Sequence, residues 1–320
     1  LDLLVAAENS DAIEVFVGTG PGAFSPVPVD ITSSLPTSQQ PRGPRQVMVH
    51  DFDGDGHNEV IFTSSSSSGR RVIALRGRAD LVSVPATSAV LLDDNSDGAY
   101  TLDIGDINND GLDDVAVTLR SENRVVVYYN RGGLQFSPRF VAVEGIDQPF
   151  AVKIGDLNND GWPDLVFSGF DDDELRWVPN DGVGTFRAPP QELDESLANA
   201  RGVALADFDG DGKLDVVAAS DETNGEIRLY TFDDTLSPFK PFVTTLVTET
   251  ANGAQGVEVG DVTGDGFADV VVASYKDDTV MVYVNDGNGK FGTTVADHIE
   301  LYPAPEEPGT VTLADFDGNG

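Results

Sequence analysis

Five stretches of the chain concentrate oxygen donors at one fixed spacing. They are Asp51-Phe-Asp-Gly-Asp-Gly-His-Asn-Glu59, Asp106-Ile-Asn-Asn-Asp-Gly-Leu-Asp-Asp114, Asp156-Leu-Asn-Asn-Asp-Gly-Trp-Pro-Asp164, Asp207-Phe-Asp-Gly-Asp-Gly-Lys-Leu-Asp215 and Asp261-Val-Thr-Gly-Asp-Gly-Phe-Ala-Asp269. Carboxylate or amide oxygens recur at positions 1, 3 and 5, glycine at 6 permits a sharp turn, and a carboxylate closes the pattern at 9. This is a hard-oxygen donor set of the kind Ca²⁺ prefers, with its roughly 6 to 8 oxygen ligands, and position 7 would add its carbonyl. An Asn/Asp/Gly turn that caps itself through Asx hydrogen bonds is the competing reading. Three or four like charges within each loop, repeated five times, favour the cation, because their repulsion is costly without one.

The opening Asp-x-[Asp/Asn]-x-Asp-Gly is shared with the EF-hand, whose loop needs a bidentate Glu at position 12. Here position 12 is Phe62, Val117, Phe167, Ala218 or Val272. All five are apolar, so each loop runs into a strand and its ninth residue must supply the closing carboxylate.

The elements that hold these loops follow from the repeat itself. The pattern returns every ~50 to 55 residues, and a sixth copy begins at Asp315, continues through Asp317 and Asn319, and stops at Gly320. Each unit reads as four short strands. In the 207 copy, Val203-Ala-Leu-Ala enters the loop, Val216-Val-Ala-Ala-Ser leaves it, Ile227-Arg-Leu-Tyr alternates as a strand does, and Phe242-Val-Thr-Thr-Leu-Val closes the unit. The second strands (Val60-Ile-Phe, Val115-Ala-Val, Leu165-Val-Phe, Val270-Val-Val-Ala) are apolar on consecutive residues, so both faces must be covered. Small sheets covered on both faces and radially repeated predict an all-β propeller of four-stranded antiparallel blades. Residues 1–320 read as one domain, with units at 43–97, 98–147, 148–199, 200–253 and 254–308 between partial units 1–42 and 309–320. A weaker repeat lies between third and fourth strands: Gly20-Pro-Gly-Ala-Phe24, Gly132-Gly-Leu-Gln-Phe136, Asp181-Gly-Val-Gly-Thr-Phe186 and Asp286-Gly-Asn-Gly-Lys-Phe291. Its glycines suit a tight hairpin and its Phe is expected to return into the sheet interface.

Composition narrows the function classes. The 320 residues carry 55 Asp plus Glu against 19 Lys plus Arg, a formal net charge of −36. Nucleic acid and anionic membrane surfaces are bound through clustered Lys and Arg, so this balance argues against both. With 40% hydrophobic residues the chain has enough apolar side chains for a core. It contains no cysteine, which excludes disulfides and thiolate chemistry, and only His50, His57 and His298, too scattered for a multi-histidine metal site. No apolar stretch approaches the ~18 to 20 residues of a membrane span, and no signal peptide is visible before the first strand-like residues.

These loops, the glycine-Phe turns and the spacing resemble the FG-GAP/VCBS repeat family, whose best-known members form the β-propeller of integrin α-subunits. The resemblance implies calcium ligands at Asp51, Asp53, Asp55 and Glu59; at Asp106, Asn108, Asp110 and Asp114; at Asp156, Asn158, Asp160 and Asp164; and at Asp207, Asp209, Asp211 and Asp215. The 261 copy departs from the pattern at Thr263, leaving Asp261, Asp265 and Asp269 as a poorer set. About six repeats are visible, which predicts a six-bladed ring or part of a seven-bladed one. Asp2 and its strand would complete the blade begun by Gly309 to Asn319 in the first case. Both ends of the sequence fall inside a loop of the pattern, which favours the second.

Topology places the calcium loops and glycine-Phe turns on one side of the blades. The turns between second and third strands, with the inter-blade connections, lie on the other. That second side carries Phe170, Tyr275, Tyr100 and Phe150, aromatics of the kind enriched at recognition sites; Phe170 and Tyr275 are the candidate partner contacts, while strand-end packing competes for Tyr100 and Phe150. Asp93-Asp-Asn-Ser-Asp97-Gly98 imitates a metal loop but has Thr101 at position 9 and reads as an acidic connector. Ser64 to Ser68 reads as a solvated turn. The function expected is a calcium-stabilised extracellular or cell-surface domain that binds a protein or glycan. The alternatives are a polysaccharide lyase or other carbohydrate-active enzyme on the same propeller, for which no concentration of His, Tyr, Lys or Arg is apparent, and a structural spacer.

Overall fold

The computed structural model describes all residues except 1, 21–22, 66–70, 78–88, 172, 224, 234, 237–241, 293–297, 301–307 and 315–320. Pro21-Gly22 of the first glycine-Phe turn, Ser66 to Ser68 of the serine run, and Asp315, Asp317 and Asn319 of the sixth copy lie outside the described residues. The fold is an all-β, six-bladed propeller whose blades are antiparallel sheets in sequential strand order. Among the described residues five four-stranded sheets and one three-stranded sheet follow this order, the number expected for six blades. Two compact units are distinguished, one reaching to Gly145 and the other spanning Ile146–Ala314.

The first unit holds a three-stranded sheet (Leu3–Ala7, Ala12–Phe16, Val29–Asp30), a short hairpin (Gly18–Gly20 with Ala23–Phe24) and two four-stranded blades. These blades are Pro44–His50, Glu59–Ser64, Arg71–Leu75, Ala89–Asp93 and Ala99–Gly105, Asp114–Leu119, Arg124–Tyr128, Phe140–Glu144. The second unit holds three four-stranded blades. They are Pro149–Gly155, Asp164–Gly169, Glu174–Val178, Gln191–Asp194; then Ala200–Ala206, Asp215–Ser220, Ile227–Phe232, Phe242–Thr248; then Ala254–Gly260, Asp269–Ser274, Thr279–Tyr283, His298–Glu300. Among the described residues the only helices are short 3₁₀ turns such as Glu8–Ser10 and Arg120–Glu122, and none is long and apolar enough to cross a membrane.

The consecutive apolar residues of each second strand are explained by where they go. Side chains alternate across a strand, so Val216 and Ala218 pack toward Val166, Leu175 and Trp177 of one neighbouring blade, while Val217 and Ala219 pack toward Val270, Val272 and Tyr283 of the other. In the first unit Val60 and Phe62 join Ile13 and Val15, whereas Ile61 joins Val115, Val117 and Tyr128. Every residue of the five second strands in the four-stranded blades is buried. At roughly 1.5 to 3 kcal/mol for each fully buried Val, Leu or Ile, these shared interfaces are the main source of cohesion. Side chains add cross-links: Thr63 Oγ1 donates to the Tyr100 carbonyl (2.6 Å), Ser168 Oγ to the Arg201 carbonyl (2.9 Å), and Tyr128 and Tyr230 hydroxyls to Asp93 and Asp194 (2.9 and 2.8 Å). Asp93 is thus committed to Tyr128, and Asn95 N–H returns to Asp93 Oδ1, as an acidic connector would have it.

Each first strand carries a bulge at the same place, between Pro44 and Val47, Ala99 and Leu102, Pro149 and Val152, Ala200 and Val203, and Ala254 and Gly256. Below it the register is regular down to the loop. Position 9 of the loop is always the first residue of the second strand and pairs with the last of the first: His50 with Glu59, Gly105 with Asp114, Gly155 with Asp164, Ala206 with Asp215, Gly260 with Asp269.

Candidate metal centre

The five loops are built alike from backbone outward. Position 6 is left-handed in all of them, with φ from +84° at Gly212 to +92° at Gly266. Position 4 is left-handed too, occupied by Gly54, Gly210 and Gly264 or by Asn109 and Asn159. Gly adopts that conformation without steric cost and Asn more readily than most other residues, which explains the Gly/Asn alternation at this position. The chain therefore curls around the position-1 carboxylate. Asp51 Oδ2 accepts from Gly56 N–H (2.9 Å) while Oδ1 accepts from Gly54 and Asp55, and Asp106, Asp156, Asp207 and Asp261 each accept the corresponding Gly N–H at 2.8 to 2.9 Å. Position 5 accepts from the position-7 N–H in every copy, from His57 to Phe267.

Position 9 plays a different part. Glu59, Asp114, Asp164, Asp215 and Asp269 are 0 to 1% exposed. One oxygen of each accepts the position-2 N–H, from Phe52, Ile107, Leu157, Phe208 or Val262, at 3.0 to 3.2 Å. The other accepts a backbone N–H at the end of the third strand or just beyond it, from Gly77, Asn130, Asn180, Phe232 or Asn285, at 2.8 to 3.0 Å. The residue thus pins the loop to the sheet. Burial raises the carboxyls of Asp114, Asp164 and Asp215 to about 7, with the acids at positions 1, 3 or 5 pushing the same way and the two backbone hydrogen bonds opposing. Glu59 is raised for the same first reason.

Three asparagines at these N–H positions were not singled out by sequence reasoning. Asn130, Asn180 and Asn285 are buried, and each lies sixteen residues beyond position 9. Asn130 Nδ2 donates to the Phe52 carbonyl (2.9 Å) and Asn285 Nδ2 to the Phe208 carbonyl (2.8 Å), tying adjacent loops together. Asn180 Nδ2 donates to the Pro163 carbonyl (2.9 Å). The recurrence of Asn ahead of the glycine turn was the available signal. Beyond it Phe136 and Phe291 return onto Phe52 and Phe208, ring centroids 5.5 and 5.9 Å apart, and Phe186 is buried.

Two loops bring three carboxylates together, Asp51 with Asp53 and Glu59, and Asp207 with Asp209 and Asp215, each group with one oxygen apiece within 4.8 Å of the others. The donor chemistry is all oxygen and anionic, which fits a hard divalent cation and excludes a soft one. In the 106 and 156 loops Asn108 and Asn158 stand at position 3, with Oδ1 accepting from Asp110 and Asp160 N–H. The 261 loop differs: Thr263 N–H bonds Asp269, and Val262 at position 2 is 43% exposed where its four counterparts are buried.

On the opposite side of the second unit, Phe170 is half-buried and lies 6.4 Å from the Phe150 ring, with the Arg201 guanidinium 4.7 to 4.8 Å from both. Tyr275 is half-buried and its N–H bonds the Gly253 carbonyl (2.9 Å). In the first unit Tyr100 is flanked by Arg45 and Arg120 at 5.2 and 4.9 Å.

The FG-GAP-like repeat profile matches residues 1–62, 106–167, 156–218, 207–272 and 261–320. No curated protein matches the chain significantly in sequence. Among solved structures, similarity extends to a lectin from Agrocybe aegerita that specifically recognises non-reducing terminal N-acetylglucosamine: TM-score 0.59 and 18% identity over 94% of this chain and 79% of the lectin. It extends also to virginiamycin B lyase from Staphylococcus aureus, with TM-score 0.54 and 12% identity over 83% of this chain and 73% of the lyase. At such identities the likeness is one of fold.

Proposed function

The chain belongs to the FG-GAP-like repeat family, and from that premise we propose that it is a calcium-stabilised recognition propeller whose partner is a glycan or protein. The observation that carries the reading is the convergence of Asp51, Asp53 and Glu59, and of Asp207, Asp209 and Asp215, on loops whose ninth carboxylate is fully buried. Asp106, Asn108, Asp110 and Asp114, and Asp156, Asn158, Asp160 and Asp164, supply equivalent oxygens in two further loops; Asp55 and Asp211 complete the first two sets. Asp261, Asp265 and Asp269 form the weakest. A bound Ca²⁺ would supply positive charge that offsets the clustered carboxylates and favours the ionised form of the buried one.

Calcium here is structural, and recognition belongs to the other side, where Phe170 and Tyr275 are the proposed contacts. The lectin neighbour motivates glycan probes. Extracellular calcium modules have dissociation constants of roughly 10⁻⁴ to 10⁻³ M, so loops of that strength fill only where calcium is near millimolar, which suits an extracellular or secretory-lumen location. The test is a glycan array and a calorimetric calcium titration on one preparation. Binding of a glycan class that Phe170→Ala and Tyr275→Ala weaken at least tenfold, with calcium uptake unchanged, is expected. Absence of calcium uptake at millimolar ion would refute the metal reading, and intact partner binding in both variants would refute the assigned side.

A further inference from the structure

The 51 loop differs from the other four in having a cation on its third position. Arg76 directly follows the third strand of its blade; its Nη1 pairs with Asp53 Oδ2 at 2.5 Å, and its Nη2 donates to the Gly133 carbonyl at 3.1 Å. Gly133 lies in the glycine turn of the next blade, so one guanidinium joins the third position of the loop to its neighbour. The Asp53 side chain is 8% exposed, and its Oδ1 is buried without a hydrogen-bond partner. Strand register places Tyr129, Pro179, Thr231 and Val284 where Arg76 stands. None is cationic. Among the described residues no ion pair reaches position 3 of another loop; Lys213 meets Asp211 at position 5 of the 207 loop, 3.5 Å away, on a carboxylate that is 37% exposed.

The geometry points to Arg76 as a built-in counter-ion that holds the 51 loop closed when calcium is withdrawn. The loop carries Asp51, Asp53, Asp55 and Glu59, as many acids as the 207 loop, and without a metal their repulsion drives it open. A guanidinium keeps its charge at any working pH. Fixed on Asp53 Oδ2 and anchored at Gly133, it lowers that repulsion, while Asp53 Oδ1 stays buried without a hydrogen-bond partner. The 51 blade then keeps its loop in chelator, and the 207 loop does not. The comparison between loops rests on the calcium reading; the effect of Arg76 in chelator does not.

Hydrogen exchange of the whole chain in excess chelator, read on peptides spanning 51–59 and 207–215, tests this in wild type, Arg76→Gln and Arg76→Lys. Charge-assisted hydrogen bonds of this kind predict about tenfold faster exchange of the 51–59 amides in Arg76→Gln. The 207–215 peptide stays unchanged and Arg76→Lys retains most of the protection. Equal exchange of the 51–59 peptide in wild type and Arg76→Gln overturns the proposal, as does Arg76→Lys behaving like Arg76→Gln. If adding calcium slows exchange in no loop, the calcium reading fails, and the Arg76→Gln comparison still decides the role of Arg76.

Discussion

Calcium uptake should release protons, in an amount that depends on pH in a defined way. Asp114, Asp164 and Asp215 have carboxyls raised from 3.8 to about 7, chiefly by burial and secondarily by the acids around them. A metal ion binds the ionised form, so each of these loops must shed whatever proton it holds. A group titrating near 7 is about nine-tenths protonated at pH 6, about half at pH 7 and a few hundredths at pH 8.5. The three loops together should therefore release nearly three protons at pH 6, about 1.5 at pH 7 and almost none at pH 8.5. Calorimetric titration in buffers of different ionisation enthalpy measures this number directly. The same groups set the stability of the metal-free chain. Their folded-state values lie above the unfolded value, so their contribution is fully present below about pH 4 and is lost as pH rises through about 7. In chelator the melting temperature should therefore fall between pH 5 and pH 8, and calcium should flatten that fall. Proton release that is absent at pH 6, or that grows with pH, would refute the assignment of these buried carboxyls to the metal site.

Further outcomes are expected from removing calcium and from single substitutions. Five sites of roughly 10⁻⁴ to 10⁻³ M would each add about 0.4 to 1.4 kcal/mol at millimolar ion, so chelation should lower the melting temperature by several degrees, and an unchanged melting curve would count against all of them. Gly77→Ala places a Cβ 2.2 Å from the Asn58 carbonyl oxygen and 3.0 Å from Glu59 Oε1; a loss of about 1 to 3 kcal/mol is expected in denaturant titration. Asn285→Ala removes two donations, to the Phe208 and Ala268 carbonyls, while Gly289 N–H still reaches Phe208; at about 0.5 to 1.5 kcal/mol per bond, a loss of about 1 to 3 kcal/mol is expected in the same titration.

Much of the site was legible because it is local. The spacing of Asp106, Asn108, Asp110 and Asp114 lies within nine residues, and the φ above zero at Gly111 follows from that one segment. The apolar run Val115-Ala-Val likewise announced a strand covered on both faces, since no half-exposed strand has that pattern. The role of position 9 was only half visible. Its carboxylate was expected as a closing ligand, yet in the folded chain both oxygens of Asp164 first accept backbone N–H groups, one from Leu157 in its own loop and one from Asn180 beyond the third strand. That second partner exists only once three strands have paired in register.

What the sequence determined by itself is therefore the repeat, the strand character and the donor set of each loop, because these depend on residues close together in the chain. Tertiary structure alone decided that Asp114, Asp164 and Asp215 are buried and raised to about 7. It also decided that Asn130 reaches Phe52, that Arg76 sits on Asp53, and that Phe150 and Phe170 share the Arg201 guanidinium. The physical reason is the same throughout: dehydration and cross-blade contact are set by how sheets stack, and a carboxylate spelled identically in five loops takes its energetics from the neighbours that stacking brings to it.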